Sequence, residues 1–128
     1  MQDLQDLEIL EIEVLENLNS IRALDSIYFG GGTMLRLCHN LNRYSTDLDF
    51  WLKTDVDSPA LFAKIKKALS DNYTINDATN KRFAMVLEFR STKIKRSLKI
   101  EIRKEQHDFE WERKIAFSKF SNKQVIVK

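Results

Sequence analysis

The chain has few of the residues that set turns and cross-links: of 128 residues, three are glycine, one is proline and one is cysteine. The single cysteine, Cys38, excludes an internal disulfide, which fits the cytoplasmic location that we expect. No apolar run approaches the roughly 20 residues that span a bilayer, and the acidic N-terminus is unlike a signal peptide. Without a repeat or an obvious linker, the length predicts one domain over residues 1–128.

Charge is distributed unevenly along the chain. Residues 1–80 carry 7 Lys and Arg against 13 Asp and Glu, whereas residues 81–128 carry 14 against 6. A basic surface beside an acidic site would suit a polyanion such as RNA or a triphosphate. Solvated charged faces explain the same counts, and both interpretations stay open.

The hydrophobic pattern mixes helices with strands. Apolar residues three and four apart predict an amphipathic helix over about 3–24, with its acids on a solvated face. A short strand at 26–29 precedes the glycines, and helical spacing resumes at 33–40. Ser58 as N-cap, followed by proline, predicts another helix start. Residues 83–89 and 98–102 then alternate like the two strands of a hairpin, after a weak strand at 73–75.

All the glycines, Gly30, Gly31 and Gly32, stand together between a predicted strand and a predicted helix. Glycine permits positive φ and the close approach of a ligand. Main-chain N–H groups at such a turn, backed by a helix N-terminus, attract anions. Thr33 would begin that helix, where it either caps the helix or donates its hydroxyl to a phosphate. A tight turn without a ligand is the alternative, and no Walker lysine follows.

Asp47 and Asp49 lie on one face of an alternating strand, with Cα atoms roughly 6.6 Å apart. Ionised carboxylates that close repel each other, and a hard divalent cation such as Mg²⁺ relieves the repulsion. Glu101, on the polar face of a later strand, is the natural third acid, and together they would suit two metals about 4 Å apart. Solvated acids, with Glu101 paired to Lys99 or Arg103, are the alternative.

Other polar side chains lie near the glycines and the acids. Arg43 and Ser45 precede the acids and offer a planar guanidinium and a hydroxyl to phosphate oxygens. Arg36, within the helix after the glycines, either faces the site or is solvated. His39 and His107 show no metal-ligand spacing, so we expect both at the surface.

Two ordered segments, GGTMLRL at 31–37 and RYSTDLDF at 43–50, resemble the nucleotidyltransferase family of AbiEii/AbiGii-type abortive-infection toxins. That family's pattern is GGTALRL followed by R-x-S-x-DLDF. The segment LKIEI at 98–102 resembles the strand that carries its third carboxylate. The resemblance implies an α+β, mixed α/β fold of the polymerase-β-like superfamily, in which a mixed sheet is flanked by helices. Family members usually continue into a helical region with a characteristic lysine and an R-D-x-x-D-like motif, and nothing after Glu101 resembles these features.

The resemblance also implies an activity and its partners. Nucleoside monophosphate would pass from an NTP to an acceptor hydroxyl, with Mg²⁺ as cofactor and release of pyrophosphate. Residues 31–33 would hold the triphosphate, Asp47 and Asp49 would bind metal, and Glu101 would complete the acid set. Some members of this broad group act on the 3′ end of tRNA and many are toxins, so an RNA (tRNA) or protein acceptor and an antitoxin are expected partners, with no membrane. The alternative is a catalytically silent nucleotide- or partner-binding module of the same fold.

Overall fold

A computed structural model describes residues 2–39, 47–92, 97–104, 114–118 and 124–128. The helices are α1 Gln2–Ser20, α2 Gly31–His39 and α3 Ser58–Ser70, with a short 3-10 turn at Ala23–Ser26. The strands are β1 Ile27–Gly30, β2 Asp47–Leu52, β3 Thr74–Asn80, β4 Ala84–Arg90, β5 Leu98–Arg103, β6 Lys114–Phe117 and β7 Gln124–Val127. None of the helices in these described ranges is long and apolar enough to cross a membrane.

The strands form a five-stranded mixed sheet in the order β1-β2-β5-β4-β3. The β2–β5 pair is parallel, and the other neighbours are antiparallel. Strands β6 and β7 pair separately, beside α2 and α1 respectively. This arrangement confirms the predicted mixed sheet with flanking helices, including the predicted hairpin of β4 and β5.

The main sheet is apolar on one face. Phe50 of β2, Leu87 of β4 and Ile100 of β5 are fully buried and join one cluster with Leu15 of α1 and Ile65 of α3. Alternate side chains of a strand point to opposite faces, so this packing fixes which residues face away from the core. Each large apolar side chain contributes about 1.5–3 kcal/mol when buried, so a register slip is strongly disfavoured.

The structure corrects several predicted boundaries. Helix α1 ends at Ser20 and not near residue 24, and α2 begins at Gly31, two residues before the predicted start at Thr33. Asp57 caps α3 by accepting the Ala60 N–H at 3.2 Å, so the predicted cap, Ser58, is the first helical residue. Phe83 continues the alternation in sequence but precedes β4, and 75% of its surface is exposed because pairing with β5 ends at residue 84. Strand β3 is longer than predicted because an edge strand tolerates polar residues on both faces.

Candidate active site

The strands that carry the acids lie side by side. In the parallel pairing of β2 with β5, Asp49 is opposite Glu101 and Asp47 is opposite Lys99. Residues directly opposite each other share a face, so Asp49 and Glu101 are neighbours on the side of the sheet away from the core. Asp47 lies on the same face at the start of β2. The structure therefore places the three acids on one face of the sheet, with Asp49 directly beside Glu101, while their catalytic role stays a prediction.

Negative charge is concentrated around Asp49. Partial burial is the largest influence that raises the pKa of its carboxyl above the ordinary value of 3.8, and the charge of Asp47 is the next largest. Glu101 raises this pKa further, whereas Arg103 and Lys99 lower it without cancelling the rise. The Asp49 carboxylate is therefore poorly solvated and repelled by its acidic neighbours, and a bound cation would favour its ionised form.

Gly31 lies directly against the Asp49 carboxyl group. Its φ is +74°, and a Cβ at this residue would lie 2.5 Å from Oδ2 of Asp49. Helix α2 begins here, with Gly32 half-buried in its first turn. The first N–H groups of a helix lack partners within it and carry partial positive charge. The glycine turn and the acids thus belong to one site.

An aromatic side chain and a cation continue the same face beyond the acids. Trp51 of β2 lies opposite Arg103 of β5, and the guanidinium carbon is 5.1 Å from the indole centroid. The Trp51 ring also covers Gly30 so closely that a Cβ at Gly30 would collide with it. The sequence indicates no function for either side chain, although the alternation of β2 places Trp51 on the face of the acids.

Thr33 faces the protein interior. It is fully buried, and its hydroxyl contacts the main-chain carbonyl oxygen of Asp47 and lies 3.0 Å from Oε2 of Glu11. The side chain therefore joins α1, α2 and the first residue of β2. The hydroxyl is directed at these protein acceptors. Its contact with a phosphate stays a prediction.

Arg36 is also directed at the protein. Its Nε donates to Oε1 of the buried Glu8 at 2.6 Å, and the Ser118 hydroxyl donates to the other Glu8 oxygen at 2.6 Å. The predicted role of Arg36 in nucleotide binding therefore stays a prediction. The other predicted phosphate contacts, Arg43 and Ser45, lie outside the described residues.

Sequence reasoning missed the two buried acids of α1, and the expectation that the acids of this helix are solvated is wrong for both. Glu8 and Glu11 are 2% and 1% exposed. Ile12 and Leu15 are the sequence feature that indicates this burial, because they make the apolar surface of the helix wider than one stripe. A buried acid requires partners from other elements, which a helical pattern alone does not reveal.

Glu11 occupies an environment that favours its protonated form. Burial is the largest influence and raises the pKa of its carboxyl well above 4.5; Glu8 and Asp47 raise it further, while the Thr33 hydrogen bond and Arg36 lower it. The Thr33 hydroxyl donates to Oε2 of Glu11, which favours the ionised form, but burial outweighs this hydrogen bond.

We expect Glu11→Gln to stabilise the protein increasingly as the pH rises. Because the pKa of Glu11 is higher in the folded state, its stabilising contribution is complete at pH values below about 4.5, the pKa in the unfolded state. This contribution is lost as the pH rises through the pKa of the folded state. Glutamine keeps the shape and avoids this loss. Urea unfolding across this pH range measures the effect. As a control, Glu16→Gln at an exposed position on the same helix should change the free energy of unfolding by less than about 0.5 kcal/mol. Equal pH profiles of stability for wild type and Glu11→Gln would contradict the raised pKa of Glu11.

The acids suit a magnesium ion in donor chemistry, although they do not form a complete cage. Within the described ranges, no three Asp, Glu, His or Cys side chains converge as a metal-binding group. Magnesium is usually held by one or two carboxylates together with substrate phosphates, rather than by an all-protein cage. Asp47, Asp49 and Glu101 supply oxygen donors and excess negative charge, so the residues fit that mode of binding.

A mixed sheet with acids on its open face, beside a glycine turn that begins a helix, defines a nucleotidyltransferase-like fold. Residues 13–120 match the sequence model described as the nucleotidyl transferase AbiEii toxin of a type IV toxin–antitoxin system, and the chain belongs to this family. Family membership places this domain among the nucleotidyltransferases by fold. No curated protein matches the sequence.

Two solved structures from Helicobacter pylori share the fold. The crystal structure of JHP933 superposes with a TM-score of 0.56 at 23% identity, covering 91% of this chain and 50% of that one. A candidate nucleotidyltransferase superposes with a TM-score of 0.51 at 24% identity, covering 80% of this chain and 45% of that one. The chain thus spans about half the length of each of these structures.

Proposed function

We propose that this domain transfers a nucleoside monophosphate from an NTP to an acceptor hydroxyl and acts as the toxin of a toxin–antitoxin pair. The observation that carries the proposal is the register of β2 and β5, which sets Asp49 beside Glu101, together with the contact of Gly31 on Asp49. Family membership supports the reaction class.

The residues have distinct tasks in this reaction. The N–H groups at the start of α2 bind phosphate oxygens, because they lack partners within the helix and lie at its positive end. Asp47, Asp49 and Glu101 would hold Mg²⁺, which supplies charge neutralisation at the triphosphate and at the attacking hydroxyl. The acceptor oxygen forms a bond to the α-phosphorus and the bond to pyrophosphate breaks. In this proposal Glu101 accepts the hydroxyl proton.

The test is label transfer by the full chain. Each α-³²P-labelled NTP is incubated with Mg²⁺ and either total RNA or total protein, and NTP binding is measured separately by calorimetry. Transfer that is lost in Asp47→Asn but kept in Asp55→Asn, an exposed control, supports the enzyme. Wild-type turnover in Asp47→Asn rules out this site.

A silent nucleotide-binding module is the second candidate. It is favoured by the absence, among the described residues, of three side chains converging on a metal. Calorimetric NTP binding without label transfer to RNA or protein supports this candidate. Failure to bind any NTP, with or without Mg²⁺, contradicts both functions.

A further inference from the structure

Two buried polar contacts join α1 to α2, one helical turn apart. Glu8 accepts a hydrogen bond from Nε of Arg36 at 2.6 Å, and Oε2 of Glu11 lies 3.0 Å from the Thr33 hydroxyl. Residues three apart lie on the same face of a helix, about 4.5 Å apart along its axis. Because the order of the partners is reversed between the two helices, α1 and α2 run in opposite senses where they meet. Two such contacts fix both the rotation and the translation of α2 against α1.

The Thr33 hydroxyl extends this connection to the strand of the aspartates. It contacts the main-chain carbonyl oxygen of Asp47, the first residue of β2, as well as Glu11. Both Thr33 and Glu11 are buried. Thr33 belongs to the first turn of α2, which begins at Gly31 against the Asp49 carboxyl group. One side chain therefore joins the proposed phosphate-binding end of α2 to the backbone of a proposed metal ligand.

Helix α2 contacts β2 at a point that the pairing with β1 does not reach. The pairing of β1 with β2 ends at Gly30 and Asp49, two residues from the start of β2 at Asp47. Helix α2 continues the chain directly from β1, and its Thr33 contacts the Asp47 carbonyl. The hydroxyl thus replaces β1 as a neighbour of the first residue of β2. We therefore expect the backbone position of Asp47 to depend on this contact more than that of Asp49 does.

We propose that Thr33, held by Glu11, is a positioning residue that fixes the peptide group of Asp47 relative to the glycine turn. Its effect on catalysis rests on the proposed function, whereas its hold on the backbone does not. Groups that orient a metal ligand typically change metal affinity or activity by about 10–100-fold when they are removed. A hydroxyl that instead contacted a phosphate, as the family resemblance implies, would act mainly on NTP binding. The two roles therefore predict different kinetics.

Transfer kinetics of Thr33 variants of the full chain test this role. Valine keeps the shape of threonine but lacks the hydroxyl, so we expect Thr33→Val to lower kcat about tenfold or more. The Mg²⁺ concentration for half-maximal rate should rise, while KM for NTP stays near the wild-type value. Thr33→Ser keeps the hydroxyl and should restore most of the lost rate. Thr33→Cys, whose S–H is a weaker donor, should lie between them, and it supplies the same comparison if valine prevents folding.

Ser118→Ala is the matched control for the loss of a buried hydroxyl. Ser118 donates to Oε2 of Glu8 at 2.6 Å, so it contacts the other buried acid of α1, and it lies just after β6 rather than in α2. We expect this variant to lower Tm, as Thr33→Val does, because each leaves a buried acid with one hydrogen bond fewer. Its kcat and its Mg²⁺ dependence should stay at wild-type values.

The amide nitrogen of Leu48 reports the contact independently of catalysis. It shares one conjugated peptide group with the Asp47 carbonyl, so a hydrogen bond to that carbonyl changes its electronic environment. We expect the ¹⁵N resonance of Leu48 to shift in Thr33→Val and to keep its wild-type position in Ser118→Ala. An unshifted Leu48 resonance in Thr33→Val would contradict the hold on the Asp47 backbone.

Two kinetic results overturn the positioning role. A raised KM for NTP with unchanged kcat in Thr33→Val would mean direct contact with a phosphate, and an equal loss of kcat in Ser118→Ala would mean a general weakening of the fold. If the wild type transfers nucleotide and Thr33→Val matches its kcat and Mg²⁺ dependence, the positioning role fails while nucleotidyl transfer stands. If the Leu48 resonance shifts as expected but the wild type transfers no nucleotide, nucleotidyl transfer fails while the hold on the backbone stands.

Discussion

Replacing Asp49 with asparagine is expected to abolish nucleotidyl transfer without weakening the fold. The carboxylate lies beside Glu101 and against the glycine turn, where a neutral amide would supply less charge to a cation and its phosphates. Loss of one such electrostatic group typically lowers turnover by on the order of 10²–10³-fold. Single-turnover transfer of ³²P-labelled nucleotide gives the measurement.

The same variant should be at least as stable as the wild type at neutral pH. The pKa of Asp49 is raised in the folded state above 3.8, mainly by partial burial and by Asp47. Its stabilising contribution is therefore complete below the unfolded pKa and is lost as the pH rises through the folded pKa. The Asp49→Asn variant has no such loss, so its advantage in Tm should shrink as the pH falls toward 3.8.

Magnesium binding provides an independent test of the proposed role of Asp49. A ligand that binds only the folded state raises Tm, so Mg²⁺ should raise the Tm of the wild type more than that of Asp49→Asn. Asp55→Asn makes the same chemical change at an exposed position with positive φ, which asparagine tolerates, and should behave like the wild type. Full turnover by Asp49→Asn would exclude these acids as the reaction centre.

Replacing Gly31 with alanine should damage both stability and transfer. The residue has a φ of +74°, where a side chain costs about 1–2 kcal/mol. The added Cβ would also lie 2.5 Å from Oδ2 of Asp49, so the carboxyl group must turn away. A displacement of about 1 Å at a reacting group can cost about 100-fold in rate. Urea unfolding and single-turnover transfer measure the two effects.

A double-mutant cycle separates the backbone from the collision. In an Asp49→Ala background the carboxyl oxygens are gone, so Gly31→Ala should cost less stability than it does in the wild type. Equal costs in both backgrounds would mean that the positive φ explains the whole effect. Wild-type stability and transfer in Gly31→Ala would contradict the described contact.

The local sequence pattern was sufficient to predict the strand that carries the two aspartates. Leu48 and Phe50 alternate with Asp49, and burial of the apolar pair fixes the acid on the opposite face. The β4–β5 hairpin follows from the same rule. The adjacency of β2 and β5 does not, because no local pattern reports a parallel partner distant in the chain. Alternation along β5 places Glu101 on a polar face and makes it a candidate third acid, and the resemblance to the family supports that choice.

Features that depend on partners from other elements could not be predicted. Glu8 is buried because Arg36 from α2 and Ser118 after β6 satisfy its oxygens. Glu11 is buried beside Thr33. Without such partners, burial of either acid would be unfavourable, so the acidic sequence of the helix predicted solvent exposure. The prediction for Phe83 was wrong in the opposite direction. Its hydrophobicity predicted burial, but it lies where strand pairing ends and is exposed.

The parallel pairing of β2 with β5 has a consequence for synthesis of the chain. Asp49 and Glu101 become neighbours only when β5 has joined the sheet, after α3, β3 and β4 have been made. Pairings between segments distant in sequence form slowly, and a chain leaves the ribosome from its N-terminus. A nascent chain that has not yet reached β5 lacks the third acid of the site. Translation and folding thus set the earliest moment at which Asp49 and Glu101 can lie side by side.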